Sequence, residues 1–60
     1  MTAKEIVKTL NADGWIEKEQ KGSHLQLIHP TKSGKVTVPM HKGDLKIGTL
    51  NGILKQAGLK

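Results

Sequence analysis

What most constrains the fold of this chain is a change in the spacing of its apolar residues over only 60 positions. Ala3, Ile6, Val7 and Leu10 recur at helical spacing; Leu25 and Leu27, then Val36 and Val38, alternate; Leu50, Ile53, Leu54 and Ala57 return to i, i+3, i+4 and i+7. A stripe of period 3.6 is buried in one piece only on a helix, and an alternating pair only on one side of a strand. The chain therefore reads helix, three strands, helix. With short antiparallel connections, both helices must cover one face of the sheet to bury their stripes, which leaves the other face wet. The expected class is α+β, with a three-stranded antiparallel sheet in a single domain over residues 1–60.

Local signals mark the boundaries. Thr2 followed by Glu5 forms a capping-box pattern before the first stripe, and Asn11 to Gly14 supply residues that end helices. Trp15 to Gln20 reads as the first strand, Lys21-Gly22 as a turn and Ser23 to His29 as the second strand. In that strand Leu25 and Leu27 face the core, so His24, Gln26 and Ile28 face the other way. Pro30 to Gly34 reads as a loop and Lys35 to Val38 as the third strand, with Pro39 stopping it or marking an edge. After a connection from Met40 to Gly48, Thr49 is the expected cap of the second helix and Gly58 its stop. Trp15 is expected to anchor the core.

Composition limits what such a fold can do. A chain this short buries only about 60% of its unfolded surface. It has no cysteine, so neither a disulfide nor a thiolate zinc site supports that thin core. No apolar run approaches the roughly 20 residues that cross a bilayer. The start, Met1-Thr2-Ala3-Lys4, leads into a charged amphipathic segment instead of a signal sequence, so the cytoplasm is the expected compartment. All ten basic residues are lysines, against five carboxylates, for a net charge of +5. Lysine is a hydrated point charge suited to phosphate, whereas arginine is favoured for reading guanine edges. A nucleic acid bound here would be held by its backbone, although the same excess charge also serves solubility. With one aromatic residue, base stacking of the RRM or OB kind has almost nothing to use.

The candidate chemistry lies in three histidines: His24, His29 and His41. His24 and His29 differ by an odd number and face opposite sides of a regular strand, and no H-E-x-x-H or Cys/His spacing accompanies them. Neither metal nor cofactor is therefore expected. A Ser-His-Asp triad is disfavoured for a similar reason, since adjacent Ser23 and His24 point to opposite faces. General acid-base chemistry fits better. RNA carries its own nucleophile in the 2′-hydroxyl, and an imidazole titrating near neutrality can take that proton. Lys21 and the amides around Gly22 and Ser23 are candidates to steady the phosphate charge. Taken residue by residue, His24 is equally a surface strand residue without a role, and Ser23 a strand-start residue. His29 reads as a turn contact, and His41 beside Lys42 as a contact to the loop or to a phosphate. Gly48-Thr49 reads as a helix cap that doubles as a phosphate contact.

Several of these pieces together resemble a known family. Gly14-Trp15, Gly22-Ser23-His24, His29-Pro30, Pro39-Met40-His41, Gly48-Thr49-Leu50 and Lys55-Gln56-Ala57-Gly58-Leu59 stand in the order and spacing of the HicA toxins of prokaryotic toxin-antitoxin systems. The resemblance spans nearly the whole chain. It implies a fold like the double-stranded-RNA-binding domain, α-β-β-β-α, and a translation-independent endoribonuclease that cleaves mRNA, which the histidine spacings make metal-independent. It places the catalytic histidine at His24. Lys21, Gly22, Ser23, His41 and Lys42 are the expected RNA-binding or supporting residues. The implied partner is a HicB-like antitoxin that binds the toxin and blocks its active surface, with DNA contacted only through that antitoxin and no membrane involved. Glu17 and Glu19 on the first strand depart from the positive surface an RNA path would favour. A non-catalytic RNA-binding module of the same fold, or a small interaction subunit completed by another protein, are the alternative readings.

Overall fold

A computed structural model describes residues 1–60. The order is α1 (Ala3–Ala12), β1 (Ile16–Lys21), β2 (His24–Ile28), β3 (Val36–Pro39) and α2 (Ile47–Gln56). The strands form one antiparallel sheet in the order β1-β2-β3. This is the expected small α+β arrangement, consistent with a double-stranded-RNA-binding-domain-like fold. No helix is long and apolar enough to cross a membrane.

The capping box at the start of α1 is complete. Thr2 Oγ1 accepts from the Glu5 amide at 3.2 Å, and Glu5 Oε1 accepts from the Thr2 amide at 2.8 Å. Those bonds hold the Glu5 carboxyl below its ordinary value, the bond to the Thr2 backbone contributing most. Ala3, Ile6, Val7 and Leu10 are buried as the stripe requires. They meet Trp15, Leu25, Leu27, Val36, Val38, Ile53 and Ala57 in one core.

Both helices end in the same way. In α1 the Gly14 amide donates to Asn11 O and the Trp15 amide to Leu10 O; in α2 the Gly58 amide donates to Lys55 O and the Leu59 amide to Leu54 O. These are Schellman motifs, which need a left-handed residue just past the cap. Gly14 (φ +102°) and Gly58 (φ +74°) supply it.

The loop after β2 ties these two ends together. His29 Nε2–H donates to Asp13 O at 2.7 Å, while His29 Nδ1 accepts from the amides of Thr31 and Lys32, each at 3.1 Å. Lys32 Nζ then donates to Asp13 Oδ2 at 2.5 Å and to Ala57 O at 2.9 Å. One ammonium thus sits at the C-terminal, partially negative ends of both helices, where a cation is favoured. Lys32 is also the main cause of the lowered pKa of Asp13. The His29 ring meets Trp15 edge-on, with centroids 5.2 Å apart.

Several boundaries differ from expectation: Lys21 joins β1, Ser23 and His29 fall outside β2 and Lys35 outside β3, and the differences at Trp15 and Thr49 have identifiable reasons. Trp15 lies outside β1, because the Schellman turn holds its amide on Leu10 and directs the indole into the core, where it is 1% exposed. Pro39, opposite His24, ends β3 as its last residue, and β3 is an edge strand, which tolerates a missing donor, as expected. Thr49 does not cap α2. It is the third residue of a helix whose cap residue is Lys46, with no side-chain cap bond. The Leu45 amide donates to Met1 O at 2.8 Å, and Asp44 pairs with Thr2 in an isolated bridge. Anchoring of the connection to the chain start brings the helix in three residues early.

Coverage of the sheet is uneven. Leu25 and Leu27 on β2, and Val36 and Val38 on β3, are buried beneath the helices, but all six residues of β1 are exposed. β1 therefore projects beyond the covered area as a charged edge strand. A bulge at Lys18 interrupts its pairing between Glu17 and Glu19. Charge and a bulge are the usual protections of an exposed edge against pairing with another chain.

Candidate active site

The open face of the sheet follows from the register. Opposed residues in an antiparallel pair share a face. Lys21 and Pro39 both pair with His24, Glu19 and Thr37 with Gln26, and Ile16 with Ile28. These residues lie opposite the core side defined by Leu25 and Leu27. His24 is therefore exposed at the centre of the sheet's open face, at the end carrying the β1–β2 turn. One lysine stands directly across from it.

The turn is tight: β1 ends at Lys21, β2 begins at His24, and only Gly22 and Ser23 connect them. Gln20 Nε2 donates to Gly22 O at 3.0 Å and closes the turn on itself. Ser23 is not a strand residue. Its carbonyl accepts from the Met40 amide at 2.5 Å, which extends the β2–β3 ladder one pair past His24 and Pro39. The turn is thereby joined to the segment that carries His41 and Lys42.

That segment borders two shallow clefts. One, of about 360 Å³, runs from the start of α1 (Thr2, Ala3, Lys4) to Met40, His41 and Lys42. The other, of about 420 Å³, lies between Pro39, His41, Asp44, Lys46 and Thr49. His41 lines both, and His24 lines neither. His24 instead adjoins the second cleft through its partner Pro39. The Asp44 carboxylate in that cleft is 3.5 Å from the Met1 ammonium.

All the residues singled out from the sequence, Lys21, Gly22, Ser23, His24, His41 and Lys42, thus gather at one end of the sheet. His29 is at the other end with both ring nitrogens occupied by backbone partners, as a turn contact should be. Lys4 and Lys46 are additions that sequence reasoning did not single out; their signal would have been tertiary, since each reaches the site only through a cleft wall. Glu19 does share the open face with His24, one pair removed, whereas Glu17 lies on the core side of β1 opposite Leu27. No group of three or more His, Asp or Glu side chains gathers into a set able to hold a metal ion.

Chemically, this arrangement offers an accessible imidazole, a cation across the strand pair and further lysines around adjoining clefts. His24 and His41 lie open to solvent, so the ligand the site suits is a charged, solvated backbone instead of a sequestered small molecule. A family model described as "HicA toxin of bacterial toxin-antitoxin" matches residues 3–59. No curated protein matches the chain.

Proposed function

The chain belongs to the HicA toxin family, and from that premise we propose that it is the endoribonuclease toxin of a toxin-antitoxin pair, with His24 as the proton-transfer group. The observation that carries this reading is the Lys21–His24 cross-strand pair on the uncovered face of the sheet. An RNA strand laid on that face presents a 2′-hydroxyl and its phosphate to an imidazole and an ammonium at once. In its neutral form His24 takes the 2′-hydroxyl proton. The freed oxygen attacks the adjacent phosphorus, and the P–O5′ bond breaks to leave a 2′,3′-cyclic phosphate and a 5′-hydroxyl end. Lys21, with the backbone around Gly22 and Ser23, balances charge gathering on the non-bridging oxygens. Lys42 and the loop at His41 hold the strand at the clefts.

One positioned proton-transfer group contributes about 10²–10⁴-fold, so cleavage is modest and needs no metal. Messenger RNA is the substrate class, and a HicB-like antitoxin would silence the toxin by covering this open face. The test is incubation of the purified chain with labelled single-stranded RNA in EDTA, beside His24→Ala. Cleavage by the wild type, a cyclic phosphate end and loss of cleavage in the variant are expected. Undiminished cleavage by His24→Ala refutes the assignment. Salt-sensitive binding without cleavage by either protein leaves an RNA-binding module in its place.

A further inference from the structure

In-line displacement at a phosphodiester has two ends. The 2′-oxygen enters on one side of phosphorus while the 5′-oxygen leaves on the other, so a base and an acid must flank the phosphate. His24 serves one side. The ladder indicates what stands on the other. The β2–β3 pairs run His24 with Pro39, Leu25 with Val38 and Gln26 with Thr37, and the Met40 amide bonds to Ser23 O in continuation of that register. Continued by one position, that register would set His41 against Gly22, a residue of the β1–β2 turn. Side chains along this segment alternate in the same way: Val38 is buried, Pro39 turns to the open face, Met40 packs on the core and His41 is exposed. Carried on by one residue, this alternation assigns His41 to the side of the sheet that bears His24, diagonally across from it and next to the clefts at the starts of α1 and α2.

Diagonal neighbours in an antiparallel pair stand about 7–8 Å apart, within reach of long or aromatic side chains. Gly22 has no side chain to occupy the space between them. The gap suits a phosphate, with Lys21 on the far side of His24 and Lys42 next to His41 in the chain. From this we infer that His41 is the general acid of the reaction, the partner of His24 across the scissile phosphate. The inference rests on the ribonuclease reading above. His24 removes the proton from the 2′-hydroxyl, the 2′-oxygen–phosphorus bond forms, the phosphorus–5′-oxygen bond breaks, and the imidazolium of His41 gives its proton to the departing oxygen. The proton on His24 and the one lost by His41 balance, and exchange with water resets both rings. The charged groups around the pair are Lys21 and Glu19 from β1, Lys4 from the start of α1, and Lys42, Asp44 and Lys46 from the β3–α2 segment.

The test uses an RNA oligonucleotide with one mapped cleavage site, and the same oligonucleotide with sulfur replacing the bridging 5′-oxygen there. A thiolate leaves without a proton, so it removes the need for an acid but not for a base. His41→Gln should cut the oxygen substrate about 10²–10⁴-fold more slowly than wild type. On the sulfur substrate it should come within about tenfold of wild type, whereas His24→Gln should be rescued on neither. Lys42→Gln, which lacks only a phosphate contact, should slow both substrates alike. Equal losses on both substrates, or no loss, overturn the acid assignment while leaving His24 in place. Failure of the wild type to cleave either substrate overturns the ribonuclease reading, and the acid falls with it.

Discussion

Replacing Gly14 with alanine should come close to unfolding this protein. Gly14 has φ +102°, and a Cβ added there would lie 2.7 Å from His29 Nε2. The ring is not free to swing aside, because Nε2 is bonded to Asp13 O and Nδ1 to two amides of the following loop. Three costs accumulate. The backbone strain of a non-glycine residue in this region is about 1–3 kcal/mol. Loss of the His29–Asp13 bond adds about 1 kcal/mol, and loss of the edge-on contact with Trp15 about 0.5–1.5 kcal/mol. The sum, about 2.5–5.5 kcal/mol, compares with a total stability of about 3–9 kcal/mol on the usual per-residue scale for 60 residues. Denaturant unfolding of Gly14→Ala, His29→Ala and the double variant measures it. The double variant should cost less than the sum of the singles by about 1–2 kcal/mol, because the contacts of His29 are then lost once and the clash is gone. A cost below about 1 kcal/mol for Gly14→Ala, or additivity across the cycle within about 0.5 kcal/mol, would refute the reasoning.

Acid stability and helix propensity supply further checks. Asp13, held below its ordinary 3.8 chiefly by the Lys32 ammonium, binds fewer protons folded than unfolded; the stability it lends is present above its unfolded pKa and is lost as pH falls through the folded value. Glu5, lowered from 4.5 by its bonds to Thr2, behaves in the same sense. Lys32→Met should therefore flatten the fall of the denaturant midpoint below about pH 4 while leaving the share of Glu5 intact, and identical acid slopes in variant and wild type would count against the Lys32 contact. Gly52, within α2, has nothing within 4 Å of an added Cβ. Gly52→Ala should raise stability by about 0.5–1 kcal/mol through helix propensity alone, read as a higher midpoint at unchanged slope, and a loss of stability would reveal a neighbour that the fold does not show.

Much of this molecule was legible in the sequence, because the decisive signals were local and periodic. Spacing of Ile6, Val7 and Leu10 dictates a helix and its buried side, and alternation at Leu25, Leu27, Val36 and Val38 dictates which faces turn inward. The same alternation puts His24 on the open face. Thr2 with Glu5, and Gly14 and Gly58, specify one helix start and two helix stops, since each acts within a few residues of itself. Propensity misled at Thr49, a good cap residue in isolation. There the Leu45–Met1 bond, between residues far apart in sequence, fixes the chain early enough for Lys46 to take the cap position.

Tertiary structure decided what depends on registers and distances between remote segments. Nothing in the composition of β1 says that the helices stop short of it; that follows from where two short helices reach over β2 and β3. No spacing rule connects Lys32 to Ala57, yet one ammonium joins the ends of both helices because the β2–β3 loop crosses where they converge. His24 and His41 are separated by a loop and a strand, and only the pairing of Ser23 with Met40 brings them to the same end of the sheet. Periodicity fixes which way a side chain points; pairing between strands fixes what it points beside, and the proposed chemistry depends on the second.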